Sequence, residues 1–258
     1  MTRIVTVANQ KGGVGKTTTT VNMAAALAQA GYQVLVLDLD PQGNASTALG
    51  IAHPEGVLSS YEVLSGEVDL ESAIAPCPDI PGLFGVPATV DLAGAEIELV
   101  TTEGREFALA KAIGRYLGTS GRHLDYVLID CPPSLGLLTL NGLVAAQEVL
   151  LPIQCEYYAL EGLSQLLRTI EMVRANLNPA LEVSAILLTM YDGRTRLAAQ
   201  VADEVRSHFG TRVLATVIPR SVRLSEAPSY SQTVLTYDPS SAGALCYREA
   251  AQEFAAIK

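Results

Sequence analysis

The chain has 258 residues, of which 49% are hydrophobic and 17% are charged, and its formal net charge is −10. This composition excludes a disordered polar chain, and the acidic balance argues against a protein that coats nucleic acid or an anionic membrane with its whole surface. A chain of this length can bury one large core. We therefore expect a single domain over residues 1–258.

Short β-branched runs alternate with helical patterns along the chain, and runs such as VLVLDL at 34–39 are almost continuously apolar. Such runs are typical of parallel strands buried on both faces. The predicted strands are Ile4–Ala8, Gln33–Asp38, Tyr126–Asp130, Glu148–Ile153, Val183–Met190 and Val213–Ile218. The predicted helices are Lys16–Ala30, Glu103–Leu117, Leu137–Ala146, Glu161–Asn176, Leu197–Phe209 and Gly243–Ile257. The alternation predicts an α/β fold with a mainly parallel twisted sheet flanked by helices, and a loop over Ala75–Pro87.

The cysteine pattern and the hydropathy predict a cytoplasmic protein with no membrane partner. Four cysteines are spread along the chain without a CxxC pair, which favours reduced thiols over a disulfide framework or a zinc site. No apolar run approaches the roughly 18 residues that a membrane helix needs. The first residues also lack the pattern of a signal peptide.

One glycine-rich segment, Gln10–Thr18 (QKGGVGKTT), directly follows the first predicted strand and opens a helix. Backbone N–H groups at such a turn can bind phosphate. The side chain of Lys16 can neutralise the β- and γ-phosphates, and the hydroxyl of Thr17 can bind Mg²⁺. The residues predicted to surround the phosphates are Gly12, Gly13, Val14, Gly15, Lys16, Thr17 and Thr18.

The segment departs from two common glycine templates. Gln10 stands at the first glycine of GxxxxGK[ST], and Thr18 stands where GxGxxG requires its third glycine. A glycine turn with an incidental lysine is therefore the alternative interpretation. A second lysine, Lys11, lies within the loop, although the chain has only four lysines.

Acidic residues follow two predicted strands, at the edge where open α/β sheets bind ligands. Asp38 and Asp40 are two positions apart and so share one side of the strand, and Asp130 ends the run YVLID. A single acid here is equally consistent with a turn or a helix cap, but three together favour a site for Mg²⁺-assisted phosphoryl transfer. Cys131 lacks the neighbouring histidine that a thiol nucleophile needs.

The loop KGGVGKTT at 11–18 resembles the deviant Walker A motif of the ParA/MinD class of P-loop ATPases. The resemblance implies ATP and Mg²⁺ as cofactors, with Lys11 reaching across a nucleotide-sandwich homodimer to the partner's phosphates; a solvated loop lysine is the alternative. It also implies that Asp130 is the Walker B acid that holds Mg²⁺ through water, and that Asp38 supports the magnesium shell. Asp40 would help to orient the attacking water. The implied catalytic residues are Lys11, Lys16, Asp40 and Asp130, and the implied metal residues are Thr17, Asp38 and Asp130.

Three further segments look like ParA/Soj chromosome-partitioning proteins within that class: 92–99 followed by 104–107, then 152–163, and 217–228. By this resemblance Pro219 and Ser221 belong to the loop beside the adenine, with Ser221 where many relatives carry asparagine. MinD-like proteins end in a basic amphipathic membrane helix. Residues 244–258 here carry two basic and two acidic residues, so we expect this stretch to pack on the core.

Arginines are concentrated near the C-terminal end of the chain. Six of the thirteen lie between residues 194 and 223 with two acids, which gives this segment +4 and leaves −14 for the rest. A basic face of this kind can bind the phosphates of double-stranded DNA without reading its sequence; a set of ordinary solvated arginines is the alternative. The preferred DNA contacts are Arg194, Arg220 and Arg223, although Arg220 could instead hold the adenine loop.

The resemblance implies an ATP-dependent chromosome or plasmid partitioning ATPase. Its ATP-bound homodimer would bind DNA non-specifically, and a ParB/Spo0J-like partner would stimulate hydrolysis and release it. The expected location is the cytoplasm, in association with the nucleoid. Two alternatives remain open, a MinD-like membrane-positioning ATPase and a P-loop metabolic enzyme of the amidoligase type.

Overall fold

The sheet lies at the centre of the molecule. The computed structural model describes residues 1–119, 122–156 and 159–257. Its strands are β1 (Arg3–Val7), β2 (Val34–Asp38), β3 (Ala75–Pro76), β4 (Leu83–Val86), β5 (Tyr126–Asp130), β6 (Glu148–Gln154), β7 (Glu182–Tyr191) and β8 (Val213–Pro219). They form one sheet in the order β3-β4-β2-β5-β1-β6-β7-β8, parallel except for the antiparallel pair β3–β4.

Helices cover both faces of this sheet. They are α1 (Lys16–Gln29), α2 (Asn44–Ala48), α3 (Ser60–Ser65), α4 (Leu70–Ala73), α5 (Leu92–Glu98), α6 (Ala108–Thr119), α7 (Leu137–Ala145), α8 (Ala159–Asn176), α9 (Arg196–Phe209), α10 (Val222–Glu226), α11 (Val234–Tyr237) and α12 (Ala242–Ala256). Short 3₁₀ turns cover Leu99–Thr101, Arg105–Phe107, Gly210–Arg212 and Ala227–Tyr230. One hydrophobic core contains residues of α3 to α9, and the other contains residues of α1, α2 and α10 to α12.

The predicted parallel sheet is confirmed, and each predicted strand overlaps an observed one with ends that differ by at most one residue. The loop predicted over Ala75–Pro87 is wrong, because it contains β3 and β4, and β4 pairs in parallel with β2. Its prolines and glycines hide the strand. At Gly85 a side chain would collide with Ile51, so glycine here serves close packing and not a turn.

The helix predicted over Glu103–Leu117 begins later than expected. Gly104 has a φ of +69°, and a 3₁₀ turn follows it before α6 starts at Ala108. The left-handed conformation at Gly104 interrupts the helical path that the apolar spacing suggests. Four short helices, α2 to α5, lie between residues 44 and 98 and are absent from the prediction. One of them, α3, begins with a Ser59–Glu62 capping box.

The C-terminal stretch packs on the core as expected, up to residue 257. In α12 the residues Ala244, Tyr247, Ala251 and Phe254 are buried, and the helix contacts α1 and β8. Lys258, the last residue of the stretch, lies outside the described residues. Among the described residues, no helix is both long enough and apolar enough to cross a membrane.

The parallel register brings the predicted acids to one edge of the sheet. β5 lies between β1 and β2, and Asp130 is the register partner of both Val7 and Asp38. All five residues of β5 are buried. The loop after β1 therefore leads into α1 directly beside the ends of the two acidic strands.

Helix α7 approaches the sheet closely at Gly142. The hydroxyl of Thr6 donates to the Gly142 carbonyl oxygen at 2.7 Å. A Cβ at this position would lie 2.9 Å from the Sγ of Cys131, which is fully buried. The missing side chain thus lets α7 lie against the residue that follows Asp130.

We predict opposite stability effects for two helix-interior glycines. Gly142→Ala should lower the melting temperature, because overpacking in a tight core costs about 1–3 kcal/mol, more than the roughly 1 kcal/mol gained in helix propensity. Gly114→Ala in α6, where a Cβ meets nothing within 4 Å, should raise it. Thermal unfolding followed by circular dichroism measures both, and stabilisation by Gly142→Ala would contradict the tight α7–β5 contact.

Candidate nucleotide-binding site

The glycine-rich loop adopts the conformation that the sequence requires. Gly13 and Gly15 have φ values of +75° and +87°, and Gly15 is the residue before the first turn of α1. The side-chain amide of Asn9 donates to the Pro152 carbonyl oxygen at 2.8 Å, and its oxygen accepts from the Lys11 N–H at 3.0 Å. The loop is therefore tied at its start to the neighbouring strand β6.

The two hydroxyls on one face of α1 hold Asp130. The Thr17 hydroxyl donates to its Oδ2 at 2.7 Å, and the Thr20 hydroxyl donates to its Oδ1 at 2.8 Å. Lys16 lies in the same turn with only 7% of its surface exposed, and its ammonium lies 3.4 Å from the Lys11 carbonyl oxygen. The structure thus places Lys16, Thr17 and Asp130 together, as predicted.

The second acidic segment is organised around Asp38. Its carboxylate accepts from the Asp40 N–H at 3.1 Å and from both the N–H and the hydroxyl of Ser46, at 2.9 and 2.7 Å. Asp40 is also buried, with 9% exposure, and accepts from the Gln42 N–H at 3.1 Å. Because the Asp38 oxygens are already engaged, this residue fits a supporting position better than direct contact with a cation.

Burial dominates the electrostatics of the acids. It raises the pKa of Asp130 well above its usual value, the neighbouring Asp38 charge adds to the rise, and the Thr17 and Thr20 hydrogen bonds oppose it. Burial also raises the pKa of Asp38, against the hydrogen bonds of Ser46. Lys16 is shifted the opposite way, since burial lowers its pKa while the charge of Asp130 opposes the change. The two carboxylates together favour a cation at this edge.

A cavity of about 490 Å³ opens beside the loop. Gly15, Thr17 and Thr18 line one part of it, and Pro219 and Ser221, the residues predicted for the adenine loop, also line it. Contact with a base stays a prediction. Other residues that line the cavity are Asn22, Thr189, Met190, Arg220, Leu224 and Val234. The cavity therefore extends from the phosphate loop to the 219–221 loop, the span that a nucleoside triphosphate would need.

The side chain of Lys11 faces Glu156. The Lys11 ammonium lies 3.5 Å from the Glu156 Oε2, and the Arg220 guanidinium lies 3.4 Å from Oε1 of the same carboxylate. Gln154 donates to that carboxylate at 2.6 Å. One carboxylate thus contacts both the second lysine of the phosphate loop and an arginine beside the cavity.

Each predicted DNA contact lies near a carboxylate. Arg194 makes two 2.8 Å hydrogen bonds to Asp192, and these hydrogen bonds lower the pKa of Asp192 to about 2. Arg223 pairs with Glu226 at 3.0 Å and with Asp238 at 3.3 Å. The counted charge of +4 for residues 194–223 omits these acids, because they lie just outside that range or approach it from elsewhere in the fold.

Sequence reasoning missed several residues that position the site. Thr20 could have been found, since it follows Thr17 by three positions and so shares its helix face. Ser46 and Glu156 carry no such signal, because their contacts with Asp38 and Lys11 depend on the tertiary fold. Met190 has a φ of +52°, rare outside glycine, and lines the cavity at the end of β7.

Sequence similarity to known proteins identifies the family of this chain. An AAA-domain family model matches residues 2–183. The chromosome partitioning protein ParA of Caulobacter vibrioides is 51% identical over 97% of this chain and 93% of its own length. The chain belongs to the ParA/Soj family. The sporulation initiation inhibitor protein Soj of Bacillus subtilis, another relative, is 50% identical over 99% of both chains.

Solved structures agree with the ParA/Soj fold, a P-loop NTPase with a deviant Walker A motif. A Mycobacterium smegmatis protein named cobyrinic acid a,c-diamide synthase, solved with ADP and magnesium, is 43% identical with a TM-score of 0.83, over 98% of this chain and 93% of that one. The cell division ATPase MinD of Pyrococcus furiosus is 26% identical with a TM-score of 0.81, over 100% of both.

The residues of this ParA/Soj member fit ATP and Mg²⁺. Thr17 and Asp130 present oxygen atoms 2.7 Å apart beside the phosphate loop, and Mg²⁺ prefers few protein oxygens together with phosphate oxygens and water. Among the described residues, no cluster of three or more His, Cys, Asp or Glu forms a metal cage. The free Cys131 is buried, which raises the pKa of its thiol and does not favour the thiolate that a nucleophile requires.

We predict that Asp130→Asn stabilises the magnesium-free protein at pH 8. Because the pKa of Asp130 is raised in the folded state, that state binds more protons than the unfolded one above about pH 4, and stability falls as the pH rises toward neutrality. The asparagine variant has no carboxyl group to ionise at this position. Its melting temperature should therefore exceed the wild-type value at pH 8 and approach it at pH 5. A stability difference of 1 kcal/mol corresponds to about 2–4 °C in melting temperature. Melting curves in EDTA measure this, with the exposed Asp203→Asn as control; an equal pH response of wild type and Asp130→Asn would contradict the buried pair.

Proposed function

We propose that this ParA/Soj chain hydrolyses ATP with Mg²⁺ and uses the nucleotide to control non-specific binding to double-stranded DNA during DNA partitioning. The observation that carries the proposal is a single phosphate loop with two lysines, Lys11 and Lys16, beside the hydroxyl–carboxylate pair Thr17–Asp130. The names of similar proteins give the same activity. One of them, the chromosome-partitioning ATPase Soj of Treponema pallidum, is 49% identical over 96% of this chain.

Each residue has one task in this reaction. Lys16 and the backbone N–H groups of residues 12–18 hold the β- and γ-phosphates, while Thr17 and Asp130 hold Mg²⁺, which supplies charge neutralisation at those phosphates. Asp40 orients the attacking water, and Asp38 keeps the 38–46 segment in place through Ser46. Pro219 and Ser221 border the base.

Lys11 is assigned to the phosphates of a second copy of the chain. Its pair with Glu156 is partly exposed, with 35% and 46% of the two side chains accessible, and such pairs contribute at most about 1 kcal/mol. A triphosphate offers a much larger negative charge, so the lysine can leave Glu156 when a nucleotide-bound partner arrives. Assembly of a homodimer would then depend on ATP.

DNA binding is assigned to Arg194, Arg220 and Arg223. Their side chains are 89%, 64% and 54% exposed, and each must exchange a carboxylate for a DNA phosphate. A homodimer doubles this basic face, which favours DNA binding in the ATP-bound form. A ParB/Spo0J-like partner would stimulate hydrolysis and reset the cycle, in the cytoplasm and on the nucleoid.

The name of the Mycobacterium smegmatis neighbour, a diamide synthase, makes an amidoligase-type enzyme the second candidate. The two functions are separated by what accelerates ATP hydrolysis. A partitioning ATPase responds to DNA and a ParB-like protein, whereas an amidoligase responds to its carboxylic acid substrate and an amide-nitrogen donor. Phosphate release with cobyrinic acid and glutamine, compared with release in the presence of DNA and the partner, decides between them.

We predict nucleotide-dependent, salt-sensitive DNA binding. Affinity for unrelated duplexes should be high with ATP and low with ADP or no nucleotide, and Lys16→Ala should not respond to ATP. Arg194→Ala should weaken binding to every duplex and flatten the salt slope by roughly one unit. Fluorescence anisotropy across a salt titration measures this, with Arg174→Ala on α8 as control; an unchanged slope for Arg194→Ala would remove that contact.

We predict that Asp40→Ala separates ATP binding from hydrolysis. Loss of the carboxylate that orients water should reduce phosphate release by about 100-fold or more, while the ATP-bound dimer accumulates. Phosphate release and light scattering with ATP measure the two effects, with the exposed Asp203→Ala as a control that keeps the wild-type rate. Hydrolysis by Asp40→Ala at the wild-type rate would end its proposed role.

A further inference from the structure

A groove of about 620 Å³ lies on the opposite face of the sheet from α1, between α5, α7 and α8. We call it the α7–α8 groove; its lining includes Glu96, Val100, Arg105, Leu135, Gly136 and Met172. It is separate from the nucleotide cavity, with which it shares no lining residue. The proposed function assigns nothing to it.

The rim of this groove exposes large apolar side chains. Val100 is 53% exposed and Met172 is 60% exposed, and both line the groove. Ile97, three positions before Val100, is 78% exposed. Single exposed apolar residues are ordinary, but several around one concave surface are typical of a site for another protein.

The groove also contains a carboxylate with an unsatisfied atom. Among the described residues, the Oε1 atom of Glu96 is buried and has no hydrogen-bond partner. It lies so close to Gly136 that any side chain at position 136 would overlap it. A buried acceptor without a partner costs free energy, and a cationic group brought into the groove would satisfy it.

One end of the groove belongs to the segment that follows Asp130. Leu135 and Gly136 line it five and six positions after that acid. The Thr139 hydroxyl donates to the Ser134 carbonyl oxygen at 2.6 Å and fixes this segment to α7. An occupant that contacts Glu96 and Gly136 therefore presses on the backbone that leads to the hydrolysis site.

We propose that the α7–α8 groove docks an apolar segment of the ParB-like partner and that a lysine or arginine of this segment pairs with Glu96. This inference rests on the proposed function and names the surface through which the partner acts. The apolar rim supplies contact area, and the unsatisfied carboxylate selects a cation. Arg105 also lines the groove, so the groove carries one side chain of each charge, and we assign the partner's cation to Glu96 because its Oε1 atom has no hydrogen-bond partner.

The test uses the full chain and the purified ParB-like protein encoded in the same genome. Val100→Ser removes an apolar contact and Glu96→Gln removes the charge while keeping the shape; Leu245→Ser, on α12 with a similar 49% exposure, is the matched control. Stimulated ATP hydrolysis is expressed relative to the basal rate of each variant, and melting temperatures confirm that each variant folds.

We expect Val100→Ser and Glu96→Gln each to require about fivefold more partner, or greater, for half-maximal stimulation, and Leu245→Ser to match the wild type. A photo-crosslinking p-benzoyl-phenylalanine in place of Met172 should capture the partner directly. Equal stimulation of wild type, Val100→Ser and Glu96→Gln would contradict the groove as the docking site, while the proposal that a ParB-like partner stimulates hydrolysis would stand. Failure of the partner to stimulate the wild type would overturn the proposed partner and the groove with it. Loss of the ATP-bound dimer in Val100→Ser would identify the groove as a contact between copies, and would also overturn the proposal.

Discussion

Two carboxylates buried side by side, Asp38 and Asp130, are the constraint around which the nucleotide site is built. The parallel register of β2 and β5 makes them neighbours, and both are almost completely buried. The protein compensates with hydroxyl and backbone donors: Thr17 and Thr20 for one acid, and Ser46 for the other. The compensation is incomplete, so both pKa values rise, and a divalent cation at this edge would relieve the repulsion. We therefore expect the same pair of carboxylates both to favour Mg²⁺ binding and to lower the stability of the magnesium-free protein.

Much of this arrangement could be predicted from the sequence, because it depends on local patterns. The continuous apolar runs predict buried parallel strands, and the strands fix where Asp38 and Asp130 must meet. The spacing of the loop predicts Lys16 and Thr17 at the start of a helix. These features are set by chain order and by a period of two or 3.6 residues.

Other features depend on contacts that no local pattern contains. Strand β4 is absent from the prediction because Gly85 is typical of a turn. In the fold, the missing side chain of Gly85 leaves space for the side chain of Ile51. Glu156 comes near Lys11 and Arg220 only because β6 lies beside β1 and β7. The charge count for residues 194–223 likewise leaves out Asp192, Glu226 and Asp238. These acids pair with Arg194 and Arg223, so the segment is less positive in the folded protein than its composition suggests.

The hydrogen bond between Thr17 and Asp130 also bears on how the chain folds, because these residues are 113 positions apart. Such a contact closes a long loop, and long-range pairing of parallel strands is slow to form. No fragment that ends before β5 can contain the site, since the acid and the hydroxyls that hold it come from distant parts of the chain. If nucleotide binding needs this pair, as we propose, we expect nucleotide affinity to appear only once the centre of the sheet is complete, and the bound fraction would then report the fraction of chains that have reached the native topology.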